Sequence, residues 1–536
     1  MNWNNFDTLK IYGKLRDEAR RLHDGNYDYK AVLNAARVKA YTVPLAAGLA
    51  FNYAAKIVDD GLLAALQAAA DEAELAAKYR ALLNGEAVNT GENRKVLHHL
   101  LRGQQGGAVI ENGRDLGAFY AGQLERFTAF ADAVHAGKIK GATGKRFTTA
   151  VQIGIGGSDL GPRAVYLALE NAAAAAGTQK LAAQFISNVD PDDASAVIAS
   201  VPLETTLFVL VSKSGTTQET LSNELFVKAK LEKAGLDPSK HIVAVTSETS
   251  PLANNPTYLD SFYIDDSIGG RYSSSSAVGG VILSLAFGGD VFKAFLQGAA
   301  EADKAALEPD TRQNAAMLDA LLGVFERNFL GIPYTAVLPY SQALSRFPAH
   351  LQQLDMESNG KRVNRFGKPA AYQTGPVVFG EPGTNGQHSF YQLLHQGTNT
   401  VPLQFVGFTA SQRDDDVTVD GSTSQTKLNA NLAAQIVAFA KGQPNKDNPN
   451  KDFPGGKPSS LIHGTKLTPQ ALGALLAHYE NKVMFQGFVW NINSFDQEGV
   501  QLGKLLTKQV LSGHSGDDAL DAYTSLLHLP PSAMEA

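Results

Sequence analysis

Short runs of β-branched and apolar residues alternate, from about residue 148 onward, with longer stretches whose apolar positions recur at helical spacing. The runs at 148–155, 181–187, 206–211 and 241–246 predict strands, and their rhythm predicts parallel strands joined by helical crossovers. A helix is expected at 313–329. Strand-like runs return at 334–339, 376–380 and 401–409, which predicts a second α/β unit after the first. Residues 1–146 read as helical scaffold, with an alanine-rich amphipathic run at 62–83. The segment 441–460 contains Asn-Lys-Asp twice and is rich in Pro and Gly, the composition of an exposed loop or insertion. Helices at 469–486 and 497–511 precede a short tail that either wraps a partner subunit or frays.

With 536 residues, 44% of them hydrophobic, the chain can bury a large core and build more than one domain. A formal net charge of −6 provides no global basic field for nucleic acid or an anionic membrane. An anionic substrate must therefore meet individual Lys and Arg side chains. The absence of cysteine excludes disulfides, thiolate catalysis and cysteine-ligated metals. The first residues, Met1-Asn-Trp-Asn-Asn-Phe-Asp, lack the basic and apolar regions of a signal peptide, and the apolar run 277–289 is too short to span a bilayer. A cytoplasmic enzyme is the expectation.

Two loops offer phosphate cradles. Ile153-Gly-Ile-Gly-Gly-Ser-Asp-Leu-Gly-Pro162 follows an expected strand and opens a helix, which leaves backbone N–H groups free at the helix start. It is not a dinucleotide fingerprint, because Asp159 stands where the third glycine is required. Val211-Ser-Lys-Ser-Gly-Thr-Thr-Gln-Glu-Thr220 sets the hydroxyls of Ser212, Ser214, Thr216 and Thr217 beside Lys213, which suits a phosphate monoester. In Ile268-Gly-Gly-Arg-Tyr-Ser273 the glycine pair lets backbone approach a ligand, and Arg271 brings a permanent charge suited to a developing oxyanion.

The acid and base candidates lie further along. If 349–358 is helical, Leu351 and Leu354 share one side while Gln353 and Glu357, four residues apart, share the other, and Asn359-Gly360 stops the helix. Glu357 is then a candidate base. His388 lies near an expected helix start, where neutral imidazole is favoured and either donates or accepts a proton. His395 has no carboxylate at metal-binding spacing and reads as structural, so no metal site is expected. Gln497, Gln501 and Lys504 fall along one helical stripe.

Together these segments resemble the phosphoglucose isomerase family. The resemblance runs from the Gly154 region to Lys504 and rests on Ser-Lys-x-x-Thr-Thr-x-Glu-Thr, Gly-Gly-Arg-Tyr-Ser, Met-Glu-Ser-Asn-Gly-Lys, Asn-Gly-Gln-His-Ser-Phe and Ser-Phe-Asp-Gln-x-Gly-Val, in matching order and spacing. It implies an α/β fold of two sugar isomerase (SIS) domains, each a parallel sheet flanked by helices. The division it implies is a helical extension at 1–110, a smaller domain at 111–290, a larger one at 291–510 and a tail at 511–536. It further implies reversible isomerisation of glucose 6-phosphate and fructose 6-phosphate, a step of glycolysis and gluconeogenesis, by a cytoplasmic homodimer that needs no cofactor or metal. Gly157, Ser158, Ser212, Lys213, Ser214 and Thr217 would surround the phosphate, and Gln353 and Gln497 would line the sugar site. Glu357 would move the proton between C2 and C1 through a cis-enediol that Arg271 stabilises. His388, from the neighbouring subunit, and Lys504 would open the sugar ring, with Glu219 hydrogen-bonded to His388. Ser214-Gly215, Ser274 to Ser276 and Glu498 depart from the family pattern and bear on breadth, including acceptance of mannose 6-phosphate, more than on reaction type. A non-catalytic sugar-phosphate sensor is the other class of reading. Retention of Glu357, His388, Lys504 and Arg271 argues against it.

Overall fold

Where an apolar run has no polar residue to turn outward, both faces of the strand must be covered, and that requirement shapes the first sheet. In this computed structural model residues 1–23, 27–103, 105–513 and 515–529 are described. The chain first forms two short strands, β1 (Thr42–Pro44) and β2 (Ala50–Asn52), within the stretch expected to be wholly helical. The runs that follow become β3 (Thr149–Ile153), β4 (Ala182–Ile186), β5 (Thr206–Val211), β6 (Ile242–Thr246) and β7 (Ser261–Tyr263). They pair in parallel in the order β4-β3-β5-β6-β7. Every residue of β3, β5 and β6 is buried. Val151, Ile153, Phe208, Leu210, Ile242 and Ala244 pack in one apolar cluster with Ile198, Val227 and Leu231 from the crossover helices.

The second sheet contains β8 (Tyr334–Pro339), β9 (Val377–Phe379), β10 (Leu403–Phe408) and β11 (Ser459–Gly464). Its order is β1-β2-β11-β10-β8-β9, parallel from β11 to β9. The N-terminal pair β1-β2 closes the edge, with β2 antiparallel to β11. β11 begins at the end of the 441–460 segment read as a loop, because its polar Ser459, Ser460 and His463 mask the strand pattern.

The helices that matter for the site are α1 (Asp60–Glu72), α2 (Leu75–Leu83), α3 (Leu160–Ala175), α4 (Gln218–Lys233), α5 (Gly289–Ala305), α6 (Ala315–Asn328), α7 (Phe347–Gln352) and α8 (Pro469–Val489). The alanine-rich run is two helices rather than one. Glu74 takes φ 53° between them, and its carboxylate accepts hydrogen bonds from Asn2 N at 2.7 Å and Asn2 Nδ2 at 3.1 Å, which fixes the break. α8 is buried at every position from Ala471 to Val489. It lies against α5 through two glycines: a Cβ at Gly298 would strike the Gln470 carbonyl, and one at Gly473 would strike that of Phe295.

Residues Met1–Ser494 form one compact unit and Phe495–Ala536 a second. In the second, a 3₁₀ turn at Glu498–Val500 leads into α9 (Gln501–Leu511), and α10 (Asp518–Leu526) occupies part of what was read as a tail. The end of that tail, 530–536, lies outside the described residues. No helix among the described residues is long and apolar enough to cross a membrane. Because α5 and α8 meet backbone to backbone, Gly473→Ala is expected to lower the unfolding free energy by about 1–3 kcal/mol through overpacking, read as an earlier thermal or urea transition with unchanged circular dichroism.

Candidate active site

Register sets both cradles at one edge of the first sheet. Ile153 pairs with Leu210, so β3 and β5 end side by side and the chain leaves each into its glycine-containing loop. In the first loop Gly156 adopts φ +60°, a conformation glycine takes without strain. A 3₁₀ turn at Gly156–Ser158 then leads into α3. In the second, Gly215 at φ +67° folds the loop back so that its N–H reaches both the carbonyl and the Oγ of Ser212. Thr217 occupies the N-cap of α4 without capping it through its side chain; instead its Oγ1 accepts from Ser212 Oγ at 3.2 Å. The helix start thus keeps unsatisfied N–H groups for an incoming anion, where a self-capped helix would have spent one. Ser214 is exposed and Lys213 half-buried, with its Nζ donating to Ile268 O at 3.1 Å. Burial pulls the Lys213 pKa below its ordinary value, partly offset by Asp266.

That lysine bond joins the second cradle to the loop carrying Arg271. The first cradle joins the same loop by close packing, since a Cβ at Gly157 would overlap the Gly270 backbone. It is the missing side chain of Gly157 that lets the two loops come together, since a Cβ on Gly270 would meet Gly157 only at ordinary contact distance. Arg271 is 1% exposed. Its Nε donates to Ser358 Oγ at 2.6 Å, its Nη1 to Glu357 Oε2 at 3.1 Å and its Nη2 to the Ser494 carbonyl at 2.6 Å. Tyr272 Oη lies 3.1 Å from the same Ser358 hydroxyl.

Glu357 does not lie on a regular α-helix. The helix expected at 349–358 is present and ends at Gly360, but after α7 it widens into a π-turn over Gln353–Glu357. The widened turn lets consecutive residues Glu357 and Ser358 both bond Arg271, and π-turns recur where function needs such placement. Leu351 and Leu354 are buried as expected. Gln353 Nε2 donates to Glu357 Oε2 at 3.1 Å, and a Cβ at Gly156 would stand 3.3 Å from that nitrogen. Glu357 keeps 22% of its side chain exposed against 0% for Arg271, which leaves one face of the carboxylate open beside the first cradle.

Gly157, Arg271, Gln353 and Glu357 are therefore brought together, with Ser212, Lys213, Ser214 and Thr217 on the adjoining loop. Ser158 is half-buried in the first cradle, where its carbonyl accepts from Gln152 Nε2 at 2.7 Å. His388 closes a 3₁₀ turn at Asn385–His388 and is exposed. Glu219 sits in the first turn of α4. Gln497 and Lys504 belong to the second unit, Gln497 preceding the 3₁₀ turn and Lys504 exposed on α9. His395 stacks on Phe439 with centroids 3.7 Å apart and lies 2.9 Å from Gln435 Oε1, a packing role. Sequence reasoning missed Ser358 and Ser494. Ser358 sits within a quoted motif, but only its partner across the chain reveals its use. No group of three or more His, Asp or Glu side chains among the described residues is placed to hold a metal ion.

Two anion cradles on one sheet edge, a carboxylate with an open face and a buried guanidinium define an α/β enzyme acting on a phosphorylated sugar. The phosphoglucose isomerase family model matches residues 52–526, and the chain belongs to that family. Glucose-6-phosphate isomerase of Treponema denticola is 60% identical over 531 residues, covering 98% of this chain and 100% of its own. The Borreliella afzelii glucose-6-phosphate isomerase is 46% identical over 528 residues, covering 98% of each. The crystal structure of a glucose-6-phosphate isomerase from Chlamydia trachomatis superposes with a TM-score of 0.89 at 41% identity, over 98% of this chain and 100% of that one. Ser358→Ala would leave the buried Arg271 Nε without its hydroxyl acceptor. It is expected to lower the unfolding free energy by about 1–3 kcal/mol in denaturant melts.

Proposed function

We infer that this chain interconverts D-glucose 6-phosphate and D-fructose 6-phosphate, with Glu357 as the base. The observation that carries the assignment of roles is the bonding of Glu357 to both Arg271 and Gln353 beside the phosphate cradles. The substrate phosphate sits among Gly157, Ser158, Ser212, Lys213, Ser214 and Thr217, on the open start of α4 and the amides of the first loop. The sugar then extends toward Gln353; Gln497, in the second unit, is assigned to the sugar from the family resemblance. In the open-chain aldose the C2 proton is acidified by the neighbouring carbonyl. Glu357 removes it and electrons move toward the C1 oxygen; with the hydroxyl proton passing from O2 to O1 through the cis-enediol, Glu357 returns its proton to C1 as O2 becomes the carbonyl of the ketose. Arg271 stabilises the oxyanion as it forms, and its desolvated setting strengthens that interaction.

Ring opening falls to Lys504 and to His388 of the partner subunit, with Glu219 orienting the imidazole. The exposed position of His388 supports this division, because a catalytic group facing outward on its own chain is available to a second copy. The enzyme acts as a cytoplasmic homodimer, where phosphorylated sugars are retained by their charge.

Glu357→Gln is expected to abolish both fructose 6-phosphate formation and solvent deuterium uptake at C2, followed by NMR in D2O, while phosphate-dependent binding persists; near-native turnover would remove the base assignment. Mixing His388→Ala and Glu357→Gln chains, each inactive alone, is expected to restore roughly a quarter of native activity, from one intact site in each mixed dimer. Failure of the mixture to regain activity, with subunit exchange confirmed, would place His388 in its own chain's site.

A further inference from the structure

The π-turn has a second carboxylate, and it points the other way. Asp355 is 8% exposed, whereas Gln353 and Glu357 in the same turn are only partly buried. Its Oδ1 is buried without a hydrogen-bond partner. It lines a cavity of about 20 Å³ together with Lys482, Asp319, Lys56, Glu326 and Gln404. Lys482 Nζ is 3.0 Å from Asp319 Oδ2, which also accepts from Gln404 Nε2 at 2.7 Å and lies 3.1 Å from His478 Nε2. Lys56 is paired with Glu326 at 2.9 Å. Lys482 and Lys56 are thus engaged by carboxylates from α6, and Arg327, which lines the same cavity, donates to Thr374 O at 2.9 Å and Gln373 Oε1 at 3.0 Å, so these bonds go to groups other than Asp355.

We propose that Asp355 is a positioning residue for Glu357, acting through the π-turn that carries both. The turn transmits the position through Ser358. The Asp355 carbonyl accepts the Ser358 N–H, and Ser358 in turn holds Arg271. A shift of Asp355 against Lys482 therefore moves the base and its oxyanion partner relative to the cradles. Burial raises the Asp355 pKa to about 7, with Asp319 adding to the rise and Lys482 and Asn359 opposing it. This inference rests on Glu357 being the base.

The test uses Asp355→Asn in the full chain. It measures kcat, KM and the ratio of C2 deuterium uptake to isomerisation in D2O. A proton held on Glu357 either returns to the sugar or exchanges with solvent, so a displaced base exchanges more often per turnover. The expected result is a kcat lower by about tenfold, a KM within about twofold and an exchange ratio raised by about threefold. A folded variant with native kcat and native ratio overturns the proposal, whatever its melting temperature, since a purely structural role lowers stability without altering the ratio. If Asp355→Asn fails to fold, Asp355→Glu replaces it. The cavity has room for one methylene, and the longer arm is expected to raise the ratio, while a native ratio overturns the proposal. Glu357→Gln is run beside them. Exchange that survives in it defeats the base assignment, whereas exchange lost there but native in Asp355→Asn defeats only the positioning role.

Discussion

A helix buried along almost its whole length has no solvent in which to leave a charge, yet α8 carries His478, Glu480, Asn481, Lys482 and Gln486 in its interior stretch. Each must find a partner within the protein, because an unpaired buried charge costs several kcal/mol. Glu480 is paired with Arg102, whose Nη1 lies 3.2 Å from Asp303 and whose Nη2 lies 3.0 Å from Ser275 Oγ. Ser275 ends the turn that begins with Gly270 and Arg271. Lys482 holds Asp319 behind the π-turn. Asn359, just past that turn, donates to the Val483 carbonyl and to Gln486 Oε1. One helix thereby fixes the loop of the proposed oxyanion group and the turn of the proposed base. Such pairs add little net stability over apolar packing, but they are severe about geometry, and geometry is what the site requires.

The same reasoning explains why the group beside Glu357 is an arginine. Its three donors point at a carboxylate, a hydroxyl and a carbonyl in divergent directions. A lysine ammonium would carry the charge on a single atom and leave acceptors unmet. Because the guanidinium is already desolvated and held, little reorganisation accompanies charge developing on a substrate oxygen.

Much of this was legible in the residues. Parallel strands covered on both faces read as unbroken apolar runs, so 206–211 and 334–339 were placed to the residue. The two glycine-containing loops and the carboxylate proposed as base stood out because phosphate and acid-base chemistry use local sequence at strand and helix ends. What escaped depends on contacts distant in the chain. β2 is a strand because it pairs with β11, more than four hundred residues later. The break at Glu74 depends on Asn2, and the π-turn is stabilised where Glu357 and Ser358 meet an arginine 86 and 87 residues away. Ser494 enters through its backbone carbonyl, which no side-chain pattern announces.

The arrangement separates two demands on the catalyst. Proton transfer between adjacent carbons needs a base whose position is reproducible to a fraction of an ångström, and Glu357 is braced from behind by a buried polar network. Ring opening needs an acid and a base that reach the sugar after it has entered, and the groups proposed for it, His388 and Lys504, are both exposed on the single chain. In the proposed mechanism the two loops hold the end of the sugar that does not react, so binding energy far from the reacting carbons is available to position C1 and C2 against Glu357.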